Sequence, residues 1–492
     1  MEASTLLEPA KTKRSPVRPK VVTVGLLGVA ACVGLVVYYG STPTTKDSRV
    51  HRPLESSGAL PTEPLEDPEL AEPAITFLAI GDWGGTLGKG KGDPGTCCKL
   101  YNGGIDFGLE RYKVDFYSQA YVAELMAQSA TELHPLRILG HGDNFYWNGV
   151  GTKDAKYRFE HTFERVYNAT SLRNIPWLNV VGNHDIGGAT FICGDKETEL
   201  RECESLDELV KYMDLRFEAQ ANYTSPHNNR WVLRGHYYVE RVSKHNVTVD
   251  VYNIDTNHAD NHGGKDVCCQ CYGYTAKLGI ENWVCNDVQP GDLGCVGGNV
   301  TLYNACMDKV EGWAHESLVR ALADAKSSPA TFKIINTHYS PHYHMNNEKM
   351  EQWYELCREA GIAAWFNGHT HGFNHDISNW GTHFFQNGGG GGYFTDNNAG
   401  GVDNGSVYQQ WVVEGSPYGF MELSFSKDWL KVQFATFDDK WDFGGLHYNE
   451  TTIGGIQRGH CWFIPRTFNV NHAIGVECNS SINGAIGAPL IG

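Results

Sequence analysis

Short, nearly unbroken apolar runs recur along the chain, and stretches of helical period separate them. Ala74 to Ile80 is the first run of strand length, and continuous rather than alternating apolar character predicts a strand buried on both faces. Asp115 to Leu133 has a helical period, Leu136 to Leu139 reads as a strand, Asp154 to Tyr167 is helical again, and Pro176 to Val181 is a third strand. Tyr237 to Val242 and Val247 to Asp255 read as further strands. After a Gly- and Asn-rich insertion the alternation resumes with a helix at Glu311 to Ser327, a strand at Phe332 to Ile335, a helix at Glu348 to Ala360 and an apolar run at Gly361 to Phe366. Phe384 and Phe385 lead into the glycine series Gly388 to Gly392, and Phe420 to Phe437 has the pattern of a hairpin. Strands alternating with helices imply crossover connections, an α/β class and a largely parallel central sheet.

The region before the first strand has a different character. Val21 to Tyr39 is a 19-residue run without a charge, just long enough to cross a bilayer core of about 30 Å. Five basic side chains precede it (Lys11, Lys13, Arg14, Arg18, Lys20), which by the positive-inside rule keeps residues 1–20 cytosolic. Residues 21–39 are therefore expected to be an uncleaved signal anchor, with a cleaved signal peptide as the competing reading. Residues 40–73, rich in Pro, Glu, Ser and Thr, suit a flexible stalk. The folded body, 74–492, would then be lumenal or extracellular, as in a single-pass type II membrane protein.

Composition agrees with that compartment. Sequons stand at Asn168, Asn222, Asn246, Asn299, Asn404, Asn449 and Asn479. Of 14 cysteines, Cys268, Cys269, Cys271, Cys285, Cys295 and Cys306 crowd into the insertion at about 257–308, where disulfides account for them better than zinc. Cys193 with Cys203 and Cys461 with Cys478 are plausible local bridges, Cys97 and Cys98 are within reach of the cluster, and Cys357 is the candidate for a buried unpaired thiol. The formal charge of −17 makes a nucleic-acid backbone an unsuitable partner. Gly85 to Gly92 (GTLGKGKG) nearly matches a phosphate-binding loop, but Gly92 replaces the Ser or Thr that would hold magnesium, and Asp93-Pro94-Gly95 follows where a helix must start. It reads as a surface insertion.

The chemistry is concentrated where the strands end. In sheets of this kind ligands collect at the carboxyl ends of the strands. Those ends supply Asp82, then Asp143 and Tyr146, then Asn183 and His184, then His338, then His369 and His371. Taken singly, each position favours a turn, a cap or a satisfied core residue. Five successive ends carrying carboxylate, phenol, amide and imidazole groups point instead to two adjacent metal ions, an arrangement suited to phosphate-ester hydrolysis.

These residues resemble the purple acid phosphatases of the metallophosphoesterase superfamily, most closely the smaller tartrate-resistant type. The matching blocks are GDWGG at 81–85, GDNFYWNGV at 142–150, PWLNVVGNHD at 176–185, the strand ending at His338, and GHTH at 368–371. Similarity runs from about Ala74 to about Phe394 and is interrupted at 86–112 and 257–308. The resemblance implies a four-layer α-β-β-α sandwich, here preceded by one transmembrane helix. It implies Fe(III) at Asp82, Asp143, Tyr146 and His371, and a divalent ion (Fe, Zn or Mn) at Asp143, Asn183, His338 and His369. It also implies that His184 is a catalytic residue that contacts the phosphate group of a small phosphate monoester and helps protonate the leaving group.

One stretch departs from the pattern. After His338 the chain reads Tyr339-Ser340-Pro341-His342-Tyr343-His344 where the family has Tyr-Pro-Val, and Asn346-Asn347-Glu348 replaces a Glu-His pair. His342 and His344 are the candidates for that substrate-binding role, with a solvated loop histidine as the plain alternative. A membrane-anchored acid phosphatase is thus the expected function. A phosphodiesterase or nucleotidase on the same metals and a catalytically silent membrane scaffold are the alternatives. Oligomeric state is not expressed in the sequence.

Overall fold

The computed structural model describes residues 73–85, 112–188, 190–196, 199–280, 285, 287–395, 401–444, 448–466 and 475–478. The expected cytosolic tail, membrane anchor and stalk, the glycine-rich loop after Gly85, Cys97, Cys98 and Asn479 lie outside those residues. Among the described residues, no helix is long and apolar enough to cross a membrane.

Two mixed sheets form the body, rather than one largely parallel sheet. In the first, eight strands run in the order Val476–Glu477, Ile456–Pro465, Trp429–Phe437, Gly419–Phe425, Ile75–Ile80, Arg137–Gly140, Trp177–Asn179, Trp231–Val232. In the second, seven strands run in the order Val407–Val412, Phe373–Ser378, His383–Asn387, Ala364–Asn367, Phe332–Asn336, Val247–Ile254, Tyr237–Lys244. Each sheet has a parallel core, from Ile75–Ile80 to Trp231–Val232 in one and from Val247–Ile254 to His383–Asn387 in the other. The remaining pairs are antiparallel, and where consecutive strands are joined by a connection as short as residues 426–428 a hairpin is the one arrangement open to them.

The continuous apolar runs have the predicted cause. Phe77, Ala79, Leu139, Ile334, Phe366 and Phe385 meet in a core between the sheets, whereas their neighbours Leu78, Ile80 and Ile138 face the Ser118–Leu133 helix on one side. Ile335, Trp365 and Phe384 face the helices Val300–Ser327 and Asn347–Ala360 on the other. The result is helices, sheet, sheet, helices. Burial of each Leu, Ile or Phe side chain among these stabilises the fold by roughly 1.5–3 kcal/mol relative to exposure.

Several elements differ from expectation at their edges. Val300–Ser327 begins well before Glu311, because the Asn299 side chain accepts from Leu302 N and caps a helix start inside the insertion. Asp154 to Tyr167 divides into an α-helix, Ala155–Arg158, and a π-helix, Phe159–Glu164. The six insertion cysteines pair among themselves as Cys268–Cys306, Cys269–Cys295 and Cys271–Cys285, which leaves none of them for Cys97 or Cys98. Cys193–Cys203 and Cys461–Cys478 are bonded as expected, and Cys357 is a free buried thiol whose pKa burial pushes up.

Candidate metal centre

The carboxyl ends of the two parallel cores lie side by side, and buried polar groups tie them together. Asn336, at the end of its strand, donates from Nδ2 to Leu178 O (2.9 Å) and Asn253 Oδ1 (2.8 Å), and its Oδ1 pairs with His141 Nδ1 at 2.6 Å. His141 Nε2 meets Asn387 Nδ2 at 3.1 Å. Burial lowers the His141 pKa to about 3. A neutral ring fits both partners, with Nδ1–H donating to Asn336 and Nε2 accepting from Asn387.

Behind the site, Trp83 packs against Phe145, Phe163, Tyr167, Trp177 and Trp231, with ring centroids 5.3–6.3 Å away. This aromatic cluster fixes the loop that carries Asp82. Two glycines admit the carboxylates: a Cβ at Gly182 would lie 2.2 Å from Asp143 Oδ1, and one at Gly368 would lie 2.2 Å from Asp82 Oδ2. Both motif glycines therefore answer to close approach.

The strand ends converge. Ligand atoms of Asp82, Asp143 and His371 lie within 4.8 Å of one another. Tyr146 Oη is 3.1 Å from both Asp82 Oδ1 and His371 Nε2. His338 Nε2 is 3.2 Å from Asn183 Oδ1, 3.3 Å from His369 Nδ1 and 3.5 Å from Asp143 Oδ1. All seven expected side chains are thus gathered in two adjoining groups that share Asp143.

These contacts also test whether the residues suit a cation. His338 Nδ1 lies 2.7 Å from His141 O, which places the proton of a neutral ring there and leaves its Nε2 as a lone pair. That lone pair faces the Asn183 amide oxygen and the Asp143 carboxylate, neither of which has a hydrogen to give. Such atoms repel at 3.2–3.5 Å, and a cation among them turns the repulsion into coordination. Burial raises the pKa of Asp82, and raises that of Tyr146 well above its ordinary value, with Asp143 and Asp82 adding to the latter. Both groups need a strong positive charge to ionise there.

His184 stands at the rim, its ring 4.6 Å from that of Tyr146 and its backbone N–H donating to Asp143 Oδ1. Its Nδ1 is 2.5 Å from Trp147 O, and burial lowers its pKa. His344 lies beside the centre, with its ring 4.7 Å from His369. It is buried, however, accepting at Nδ1 from Ser340 N and pairing at Nε2 with Thr370 Oγ1. The His342 side chain is only 1% exposed and faces Asp376 Oδ2 at 3.2 Å and the Phe384 ring, so it is not brought to the centre. Asn346, in the departing stretch, caps the Asn347–Ala360 helix by accepting from Glu348 N and Lys349 N.

Sequence reasoning overlooked Asp185. Its carboxylate accepts from Gly182 N (2.8 Å), Asn144 N (3.0 Å) and Phe145 N (3.2 Å), and so joins the loops that carry Asp143 and Asn183. It stands at the end of the motif already quoted, one residue beyond His184. Arg158 and Arg216 were overlooked as well; they hold Tyr146 O (2.6 Å) and Asn148 O (2.5 Å), and nothing local in the sequence marks that role.

The calcineurin-like phosphoesterase family profile matches residues 75–373. Mouse tartrate-resistant acid phosphatase type 5 is 28% identical over 206 residues, 42% of this chain and 44% of that protein. Arabidopsis thaliana purple acid phosphatase 17 is 21% identical over 314 residues, 63% of this chain and 66% of that protein. The solved purple acid phosphatase PPD1 of yellow lupin (Lupinus luteus) aligns at a TM-score of 0.39 and 13% identity, covering 75% of this chain and 52% of that one. The matched part spans less than half the length of the tartrate-resistant relatives. With the family profile covering more than half of the sequence, the chain belongs to the calcineurin-like phosphoesterases, and its relatives are acid phosphatases of the tartrate-resistant and purple types.

Proposed function

We propose that this protein is an acid phosphatase that hydrolyses small phosphate monoesters on a dinuclear Fe(III)–M(II) centre. Fe(III) would be held by Asp82, Asp143, Tyr146 and His371, and a divalent Fe, Zn or Mn by Asp143, Asn183, His338 and His369. The observation that carries this reading is the convergence of hydrogen-free ligand atoms from His338, Asn183 and Asp143 beside the Asp82–Tyr146–His371 group. When bound, a pair of cations supplies charge neutralisation for the ester and activation of water.

The chain's own groups shape the rest. Gly182 and Gly368 let backbone and carboxylate approach, and His141 orients His338 through its carbonyl. His184 directs Nδ1 to Trp147 O, and burial lowers its pKa, which favours the neutral ring with Nε2 left as an acceptor. That suits the P–OH of a phosphate monoester monoanion, the form present below a second phosphate pKa of about 6. An acid optimum follows from this match.

The anchor at 21–39 and a lumenal or extracellular body complete the proposal. The five disulfides among the described residues support an oxidising compartment, and the six described sequon asparagines, Asn168, Asn222, Asn246, Asn299, Asn404 and Asn449, are all exposed. Hydrolysis of p-nitrophenyl phosphate by the purified protein, assayed across acid to neutral pH alongside its metal content, tests the activity. Metal-loaded protein without turnover would refute it.

A further inference from the structure

The Cys-rich insertion delivers an imidazole to the metal centre. The His262 ring lies 6.3 Å from that of His369, centroid to centroid, and its side chain is 66% exposed. His344, in contrast, is buried with both nitrogens engaged, and His342 is turned into the interior. His262 is the most exposed imidazole in this group, open to a ligand arriving from solvent.

Its position is built from several sides. Asp260 N and Asn261 N donate to His344 O at 2.8 and 3.0 Å, and Asn261 Nδ2 donates to Tyr343 O at 3.0 Å. The His262 carbonyl accepts from Tyr339 Oη at 3.0 Å, and the same hydroxyl lies 3.0 Å from Asn183 Oδ1, within the proposed metal set. The backbone at His262 is left-handed, with φ +51°. The turn closes at Gly263, where a Cβ would meet Ala259 O at 2.2 Å. The short helix Gly264–Cys269 then begins, and the Cys268–Cys306 and Cys269–Cys295 bonds pin its end. From that helix Asp266 Oδ2 reaches His262 Nδ1 at 3.3 Å. The bond uses one ring nitrogen and leaves Nε2 as the remaining polar atom.

An exposed histidine–aspartate pair four residues apart contributes little to stability. Stability alone therefore gives no reason to hold a left-handed histidine by way of a tyrosine that also touches Asn183. We infer that His262, oriented by Asp266 and the disulfide-tied insertion, is a substrate-binding residue that contacts the phosphate group of the ester at the metal centre. The inference rests on the phosphoesterase reading above and adds to it a phosphate contact from the insertion.

The test uses the full chain with His262→Ala, His262→Gln and Asp266→Asn, and reads inorganic phosphate affinity by calorimetry, KM and kcat for p-nitrophenyl phosphate, metal content and thermal midpoint. At unchanged metal content, His262→Ala is expected to raise the phosphate Kd and KM together by fivefold or more while kcat changes less. Glutamine should restore part of the loss, and Asp266→Asn should fall between, as befits a positioning residue. Phosphate Kd and KM within twofold of wild type would overturn the inference, as would loss of metal from His262→Ala. A wild-type protein that binds phosphate but hydrolyses no ester would refute the proposed activity, while the phosphate Kd series would still decide the role of His262.

Discussion

Asp185 offers a demanding check on how the centre is held together. Its carboxylate is fully buried and accepts from Gly182 N, Asn144 N and Phe145 N, with Asn144 Nδ2 as a further donor at 3.1 Å. Asp185→Ala would leave three backbone donors buried without a partner. Each such group costs roughly 1–3 kcal/mol, so the variant should lose at least about 3 kcal/mol. Asp185→Asn keeps one acceptor oxygen but turns an amide toward N–H groups, and should lose an intermediate amount. Because Gly182 and Asn144 adjoin Asn183 and Asp143, metal content should fall with stability. Urea unfolding with disulfides intact, paired with metal analysis, measures both. A loss below about 1 kcal/mol in Asp185→Ala, with metal retained, would refute the reasoning, since water would then be satisfying those donors.

Three further outcomes are expected. Replacing both Cys268 and Cys306 by serine opens a bridge that, with Cys269–Cys295 intact, closes a loop of about 14 residues, and should destabilise the fold by about 3 kcal/mol on loop-entropy grounds, read as a lowered urea midpoint. Arg230→Ala should cost about 3–5 kcal/mol, because it strands Glu164, which is 3% exposed and 2.7 Å from Arg230 Nη2; an unchanged thermal midpoint would contradict this. Burial lowers the Lys431 pKa to about 7, with Glu422 opposing and Arg458 adding. The unfolded chain keeps that proton up to about pH 10.4. Between those values the unfolded state binds more protons, so this group makes stability rise with pH. Lys431→Met should flatten the rise and raise stability below pH 7; urea midpoints at acid and alkaline pH compare the two proteins, and an equal slope would contradict the assignment.

The centre was legible in the sequence because its residues sit immediately after strands whose apolar runs are local and unbroken. Asp82 follows Ile80, and His369 follows Asn367 by one glycine. Elements whose buried faces are polar were not legible. The helix Leu206–Ala221 buries Arg216 and Gln220 along with Leu209, Met213 and Phe217, which blurs its apolar stripe. The strand Phe373–Ser378 buries Asn374, His375 and Asp376, whose partners His460, His383, His342 and Tyr343 come from elsewhere in the chain. Spacing likewise leaves the pairing of six clustered cysteines open. His262 follows no strand, and its proximity to His369 arises from the way residues 260–262 are tied to Tyr339, Tyr343 and His344.

The proposed chemistry depends on Fe(III) at Tyr146, and the visible spectrum of the purified, metal-analysed protein is the direct test of it. Tyr146 Oη lies 3.1 Å from Asp82 Oδ1 and from His371 Nε2, in surroundings that keep a phenol neutral unless a strong Lewis acid is present. The purified protein should contain iron and show a tyrosinate-to-Fe(III) band that disappears in Tyr146→Phe. An iron-loaded wild-type protein without that band, or a band that survives in Tyr146→Phe, would contradict it.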